Sequence, residues 1–155
     1  MGEYDYLIDR LPHRPPALFV DEVLELDPGR SIRGAVSFPV GHRVFENHLP
    51  GEPLVPGVVL IEAMAQVAGL VFAVGTGEGD PESVRGYLAE VRQMRFRRPV
   101  VPDSRVELVA SLERIFGPAA RFETEALVDG EIVAEGVITI VRSPRGSVES
   151  ENSAD

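Results

Sequence analysis

The longest apolar run of the chain extends from Gly57 to Gly75, and Glu62 is the only formally charged residue within it. Pro56 precedes the run, and a proline at the first turn of a helix is preorganised for helical geometry. A membrane span is disfavoured, because Glu62 and Gln66 lie inside the run and no basic residues flank it. In a soluble protein, a helix that is apolar on every side is buried on every side. The run therefore predicts a long central helix.

Segments rich in apolar and β-branched residues on both sides of this helix predict antiparallel strands. In the second half of the chain, apolar residues alternate with polar ones, which is the period of a sheet with one covered face. Asp129-Gly130 predicts a type I′ hairpin turn between the last two strands. Such a sheet must curl around the helix to cover it, so we predict an α+β architecture, an antiparallel sheet wrapped around a long central helix. The predicted strands are Leu18–Leu26, Ser31–Phe38, Arg85–Phe96, Arg105–Ile115, Arg121–Val128 and Glu131–Val141, with a short helix near Tyr4–Arg10.

The length and composition of the chain limit its organisation and its partners. A length of 155 residues suits a single domain, which we assign to residues 1–142, with a disordered acidic tail over residues 143–155. The net charge of -10 argues against nucleic-acid binding. The absence of cysteine excludes a disulfide framework and a thiolate nucleophile. The N-terminus has no signal-peptide pattern, so we expect a cytoplasmic protein with no membrane partner.

His48 and Glu62 lie 14 residues apart and form a candidate catalytic pair. A neutral imidazole is suited to take a proton near neutral pH, and a glutamate inside an apolar helix is expected to have a raised pKa and to stay protonated. The helix start at Gly57 offers free N–H groups to a polarised carbonyl. The segment thus predicts a base, an acid and an oxyanion site. The structural alternative for Glu62 is a buried acid paired with an arginine or with Gln66.

Three strings of the sequence carry a family resemblance: LPHRPPALFVDEVLELDPG, NHLPGEPLVPGVVLIEAMAQVAG and VRQMRFRRPVVPDSRVEL. From Leu11 to Val141, the chain closely resembles the 3-hydroxyacyl-(acyl-carrier-protein) dehydratases of the FabZ type. The resemblance implies a hotdog fold and the dehydration of 3-hydroxyacyl thioesters to trans-2-enoyl thioesters, in fatty-acid or polyketide (polyene) biosynthesis. It also implies active sites at a dimer interface. The site residues that it implies are His48 and Glu62 as the catalytic pair and Gly57, Val58 and Gln66 as oxyanion and substrate-positioning residues.

The same resemblance implies partners and leaves several alternatives open. The partner is an acyl carrier protein whose phosphopantetheine carries the substrate, and no further cofactor is implied. The chain is expected to form a homodimer or a trimer of dimers, with a heterodimer possible. The family usually has Gly and Phe where this chain has Asn47 and Leu49. Asn can keep the left-handed bend of Gly, and Leu49 bears on acyl-chain preference rather than on chemistry. Whether Glu62 is the direct acid or positions water stays open, as do two other functions, a hotdog acyl thioesterase and a non-catalytic acyl-thioester-binding partner subunit.

Two further histidines and four arginines complete the candidates. We expect His13, in LPHRPP, to have a structural role at the entry to the first strand, and no ligand spacing joins His13, His42 and His48 into a metal site. The arginines form the only dense basic group of an acidic chain. They predict either a solvated strand face paired with acids or a docking site for the carrier protein and its phosphate. They are Arg92, Arg95, Arg97 and Arg98.

Overall fold

The computed structural model describes residues 2–46, 51–75 and 84–144. Antiparallel strands and one long α-helix form most of this part of the chain. Two short 3-10 helices, Asp5–Arg10 and Arg43–Phe45, precede the α-helix. The α-helix, α1, spans Gly57–Gly75, and strands β1 to β6 span Glu22–Asp27, Ser31–Phe38, Val84–Phe96, Ser104–Phe116, Ala119–Val128 and Glu131–Pro144.

The strands form one sheet in the order β1-β2-β4-β5-β6-β3, so β1 and β3 are its two edges. All neighbouring strands are antiparallel. The β5–β6 turn has a positive φ at both central residues, 51° at Asp129 and 79° at Gly130, as a type I′ turn requires. The predicted hairpin turn is therefore confirmed. Within the described ranges, β3 pairs only with β6, and the other side of this 13-residue strand is unpaired.

One side of α1 packs against the sheet, while a stripe along its other side is only partly covered. Met64, Val67 and Val71 have no exposed area and belong to the core shared with the sheet. In contrast, Val58 is 72% exposed, and the side chain of Glu62 is 37% exposed. The predicted α+β arrangement is confirmed, but burial of the helix on every side is wrong for a single chain. This open stripe of α1 consists of Val58, Ile61, Glu62, Ala65 and Gly69.

Two strand boundaries differ from the sequence prediction by more than two residues. β1 begins at Glu22 instead of Leu18, because the backbone N–H of Phe19 donates to the Gln66 side chain rather than to a neighbouring strand. β6 continues to Pro144, two residues into the predicted tail, since it pairs with the first residue of β3. The rest of that tail lies outside the described residues. Of the helices in the described ranges, none combines the length and the hydropathy that crossing a membrane requires.

Candidate active site

The carboxylate of Glu62 lies on the open stripe of α1 and contacts two side chains through one oxygen. Oε1 accepts a hydrogen bond from Nε2 of Gln66 at 3.0 Å, one turn further along the helix. The same Oε1 lies 3.1 Å from Nε2 of His13. Oε2 makes no hydrogen bond with any residue that the structure describes. Within this part of the chain, Glu62 is therefore held through Oε1 alone.

Gln66 is itself held in one orientation by hydrogen bonds, and it donates to Glu62 from that orientation. Its side chain is buried, with 2% of the residue exposed. Its Oε1 accepts a hydrogen bond from the Phe19 N–H at 2.8 Å, and its Nε2 donates to the Ala17 carbonyl at 2.8 Å as well as to Glu62. Because a backbone N–H can only donate, the amide oxygen of Gln66 must face Phe19, and its two N–H groups must face Ala17 and Glu62. Gln66 thus joins residues 17–19 to α1 and orients the carboxylate.

His13 reaches Glu62 from the segment that precedes β1. Arg14 fastens this segment, because its guanidinium donates to the carbonyl groups of Leu11 at 2.6 Å, His13 at 2.7 Å and Asp9 at 3.2 Å. The His13 side chain is 31% exposed, but its Nδ1 is buried and has no hydrogen-bond partner among the described residues. The sequence predicted only a structural role for His13. Its contact with Glu62 joins residues 49 positions apart, and no local pattern signals it.

The charge state of Glu62 differs from the one predicted from the sequence. The hydrogen bond from His13 is the largest influence, and it holds the pKa of the Glu62 carboxyl below its ordinary value of 4.5. Partial burial acts in the opposite direction, and the hydrogen bond from Gln66 lowers the pKa further. The predicted raised pKa is therefore wrong. Its premise was a carboxylate surrounded by apolar groups, whereas the carboxylate has two polar partners and is partly exposed.

The start of α1 presents free backbone donors beside an apolar cavity. The N–H groups of Gly57 and Val58 donate to no residue in the described ranges, and a helix N-terminus favours negative charge. The Phe96 ring lies against Gly57, where an added Cβ would come within 2.9 Å of the ring. Glycine at this position thus allows the ring to approach the helix start. A cavity of about 490 Å³ adjoins it, with Leu54, Val58, Ile61, Phe96, Arg97, Arg98 and Pro99 in its walls.

Three of the four predicted basic residues pair with glutamates, and all three guanidinium side chains are about half exposed. Exposed pairs of this kind are weak and are screened by salt. Arg95 is the member of the group that forms no ion pair with a described residue. Arg97 and Arg98 also line the cavity at the helix start. The pairs are Arg92 with Glu90 at 3.6 Å, Arg97 with Glu135 at 3.2 Å, and Arg98 with Glu131.

Of the other two histidines, His42 lies in the described part of the chain and makes its contacts away from Glu62. His48 lies outside the described residues together with its neighbours Asn47 and Leu49, so its pairing with Glu62 stays a prediction. His42 accepts a hydrogen bond from the Val44 N–H at 3.1 Å through Nδ1. Its ring lies edge-on to Phe38, with 5.3 Å between the centroids. His42 therefore caps the second 3-10 helix.

Comparisons with known proteins assign this chain to a family. A family model described as a FabA-like domain matches residues 11–137. The chain belongs to the FabA-like family. The 3-hydroxyacyl-(acyl-carrier-protein) dehydratase FabZ of Klebsiella pneumoniae is 37% identical over 137 residues, which cover 88% of this chain and 90% of that protein. The FabZ of Salmonella arizonae is 36% identical over 141 residues, with 91% and 93% covered. The resemblance to FabZ-type dehydratases is thereby confirmed.

Solved structures similar to this FabA-like chain share its fold. A chain of the dehydratase heterocomplex ApeI:P from Xenorhabdus doucetiae matches with a TM-score of 0.76 and 20% identity, covering 94% of this chain and 95% of that one. A Thermus thermophilus protein described as a thioesterase superfamily member matches with a TM-score of 0.66 and 19% identity, covering 84% and 93%. Identities of this size establish the fold alone. The hotdog fold implied by the resemblance is confirmed.

Proposed function

We propose that this FabA-like protein dehydrates 3-hydroxyacyl thioesters carried on acyl carrier protein to the trans-2-enoyl thioesters. One observation carries the proposal: an oriented Glu62 carboxylate shares the open stripe of α1 with a helix start whose N–H groups at Gly57 and Val58 have no described partner. Identity of 37% to a FabZ dehydratase over 88% of the chain supports it. The pathway, fatty-acid or polyketide synthesis, depends on which acyl chains the enzyme accepts.

His48 is the proposed base. It takes the proton from C2 of the substrate, and the charge that develops on the thioester oxygen is stabilised by the N–H of Gly57 or Val58 and by the positive end of α1. Because its lowered pKa keeps Glu62 ionised near neutral pH, Glu62 accepts a hydrogen bond from the 3-hydroxyl group and orients it. The imidazolium of His48 then returns the proton to that hydroxyl, the C3–O bond breaks, and water leaves. This assignment favours Glu62 as a positioning carboxylate over Glu62 as the direct acid.

The acyl carrier protein is the proposed macromolecular partner. The cavity at the helix start has apolar walls from Leu54, Ile61 and Phe96 and carries Arg97 and Arg98. Its size is in the range of small-molecule sites. An acyl-phosphopantetheine arm fits this combination, with its apolar part in the cavity and its phosphate near the guanidinium groups.

A homodimer is the proposed assembly. Within the described ranges, one edge of β3 is unpaired. Tyr87, Leu88 and Val91 of this strand are 42%, 41% and 40% exposed, and a long exposed edge is a template for pairing with another chain. A twofold axis beside β3 would extend the sheet through two copies. Because Phe96 of β3 lies against Gly57, a copy along this edge also faces the start of the open stripe. A trimer of dimers, a heterodimer and the cytoplasmic location stay predictions.

Product analysis tests the proposed function directly. The purified protein is incubated with a 3-hydroxyacyl thioester, and the trans-2-enoyl thioester is measured by absorbance and mass spectrometry. His48→Ala should lower the rate by at least about 100-fold, the lower range for the loss of a general base, while the far-UV circular dichroism stays unchanged. Release of the free acid instead of the enoyl thioester would identify a thioesterase. Absence of both products, with binding of the thioester retained, would identify a non-catalytic binding subunit.

Subunit mixing tests whether one active site uses two chains. His48→Ala and Glu62→Gln proteins, both of strongly reduced activity, are combined under conditions that exchange subunits. If His48 of one chain serves Glu62 of the other, a mixed dimer contains one intact site, and random exchange restores roughly a quarter of the wild-type activity. Exchange is verified with differently tagged chains. Complete exchange without recovery of activity would show that both groups come from one chain.

A further inference from the structure

We infer that His13 is a positioning residue for Glu62, which holds Oε1 together with Gln66 and so directs Oε2 toward the substrate. The inference rests on the proposed function, because it deepens the role of the carboxylate in that reaction. It adds a histidine outside the His48–Glu62 pair. Its basis is the contact of 3.1 Å between His13 Nε2 and Glu62 Oε1.

The two oxygens of Glu62 are held unequally, and this inequality gives the carboxylate a direction. Oε1 receives the hydrogen bond from Gln66 at 3.0 Å and the contact from His13. Oε2 has neither in the described part of the chain. Two donors on one oxygen fix the rotation of a carboxylate better than one, because a single hydrogen bond leaves the torsion about its axis free. Oε2, which no described residue bonds, is the oxygen that can accept a hydrogen bond from the substrate hydroxyl.

The two side chains that contact Glu62 Oε1, Gln66 and His13, are anchored by separate hydrogen bonds. Gln66 is buried and bonds the backbone of Ala17 and Phe19. The carbonyl of His13 is held by the Arg14 guanidinium. This anchoring distinguishes the contact from an exposed ion pair between two flexible side chains, which contributes little. A positioning group is useful only if its own orientation is fixed.

The imidazole of His13 shows a further mark of a functional position. Its Nδ1 is buried without a hydrogen-bond partner among the described residues. An unpaired buried polar atom is unfavourable and is rare in folded proteins. Such an arrangement is tolerated where the other face of the group makes an interaction that the protein uses, here Nε2 with Glu62. Within the described ranges, the influences on the Glu62 charge come from His13, Gln66 and burial, and His13 is the only titratable group among them.

A set of five proteins tests the inference: the wild type, His13→Ala, His13→Gln, Glu62→Gln and the double variant His13→Ala/Glu62→Gln. Turnover is measured with a short 3-hydroxyacyl thioester, so that carrier-protein docking does not contribute. We expect His13→Ala to lower kcat by about 10- to 100-fold with little change in KM, since misplacement of a positioned group acts on the chemical step. His13→Gln, whose amide N–H can occupy the position of Nε2–H, should recover most of that loss.

The double variant separates positioning from a general structural role. If His13 acts through Glu62, adding His13→Ala to Glu62→Gln should lower kcat no further than about twofold, because residues that act as a unit are not additive. Multiplication of the two single losses would overturn the inference. Full turnover by a folded His13→Ala protein would overturn it as well, and circular dichroism establishes the folded fraction.

Titration of Glu62 keeps the test independent of the proposed activity. The ¹³Cδ signal of Glu62 is followed against pH by NMR in the wild type and in His13→Ala. The titration midpoint should move upward in the variant, because the hydrogen bond that most lowers the Glu62 pKa is lost. An unchanged midpoint would show that His13 does not hold the carboxylate in solution. A wild type without dehydratase activity but with this shift would refute the proposed function and leave the contact established.

Discussion

Two polar regions of the molecule differ in how fully their side chains are hydrogen-bonded. One is the Glu62 cluster, formed by Glu62, Gln66 and His13, and the other is the arginine group at the end of β3. In the Glu62 cluster, two side chains share one oxygen of Glu62, and Gln66 uses its amide oxygen and both of its amide N–H groups. In the arginine group, each paired guanidinium has a single glutamate partner among the described residues and is about half exposed. The arginine group consists of Arg92, Arg95, Arg97 and Arg98.

This contrast shows where a polar side chain must be satisfied and where it need not be. A buried amide such as that of Gln66 must find partners, since leaving its polar atoms unpaired is unfavourable. An exposed guanidinium loses little when its partner is removed, because water replaces the partner and salt screens the charge. The Glu62 cluster should therefore control stability and turnover, while the arginine group should control encounter with a charged partner.

The strongest test of this contrast is Gln66→Leu. The substitution keeps the side chain close to its size but leaves the Phe19 N–H and the Ala17 carbonyl without their partner. We expect the free energy of unfolding to fall by about 1–3 kcal/mol for each orphaned group that stays buried, as measured by urea denaturation. The control is Glu131→Gln, which removes the half-exposed glutamate partner of Arg98, and its effect should stay within about 0.5 kcal/mol. If the two substitutions lower the free energy of unfolding equally, the Glu62 cluster and the arginine group do not differ in their contribution to stability.

The sequence predicted the elements that depend on local pattern. The bounds of α1 and β2 agree with the predicted Gly57–Gly75 and Ser31–Phe38, because an apolar run after a proline and a strict alternation are local signals. The pairing of Gln66 with Glu62 was open as an alternative and is present, since residues four apart share a helix face.

The parts that the sequence could not predict depend on tertiary contacts. His13 reaches Glu62 across 49 positions. Leu18 and Phe19 lie outside β1, contrary to the prediction, because Gln66 binds the backbone of Ala17 and Phe19. The prediction of a raised Glu62 pKa failed for the same reason. It treated the apolar neighbours of Glu62 in the sequence as its neighbours in space.

Arg95→Glu gives the next largest expected effect, and it acts on the arginine group alone. KM for a carrier-protein-bound substrate should rise about tenfold at low salt, because the reversed charge repels an acidic partner. KM for a short synthetic thioester should not change, and the effect on the carrier-bound substrate should shrink as the salt concentration rises. Arg30→Glu is the control, since Arg30 is exposed in the β1–β2 turn and undergoes the same charge change. A similar rise in KM for both substrates would assign Arg95 a structural role.

The smallest expected effect is the pH-dependent stability of Glu62→Gln. The pKa of Glu62 is lowered in the folded protein from an ordinary value of 4.5, so folding favours the ionised form. Its contribution to stability is present above the unfolded-state pKa and is lost as the pH falls through the lower folded-state pKa. At pH 7, Glu62→Gln should therefore unfold at a slightly lower urea concentration than the wild type. The two midpoints should converge as the pH falls below about 4.

Glu25→Gln separates this effect from the loss of any surface carboxylate. Glu25 is 78% exposed and lies 3.9 Å from Arg33, so its replacement should leave the urea midpoint nearly unchanged at every pH. A Glu62→Gln protein that is as stable as the wild type or more stable at pH 7 would indicate a neutral Glu62 with a raised pKa. The Glu62 carboxyl would then be available as a direct acid, and the proton on the departing hydroxyl would come from Glu62 rather than from His48. The difference between the two urea midpoints at pH 7 thus distinguishes the two chemical roles of Glu62.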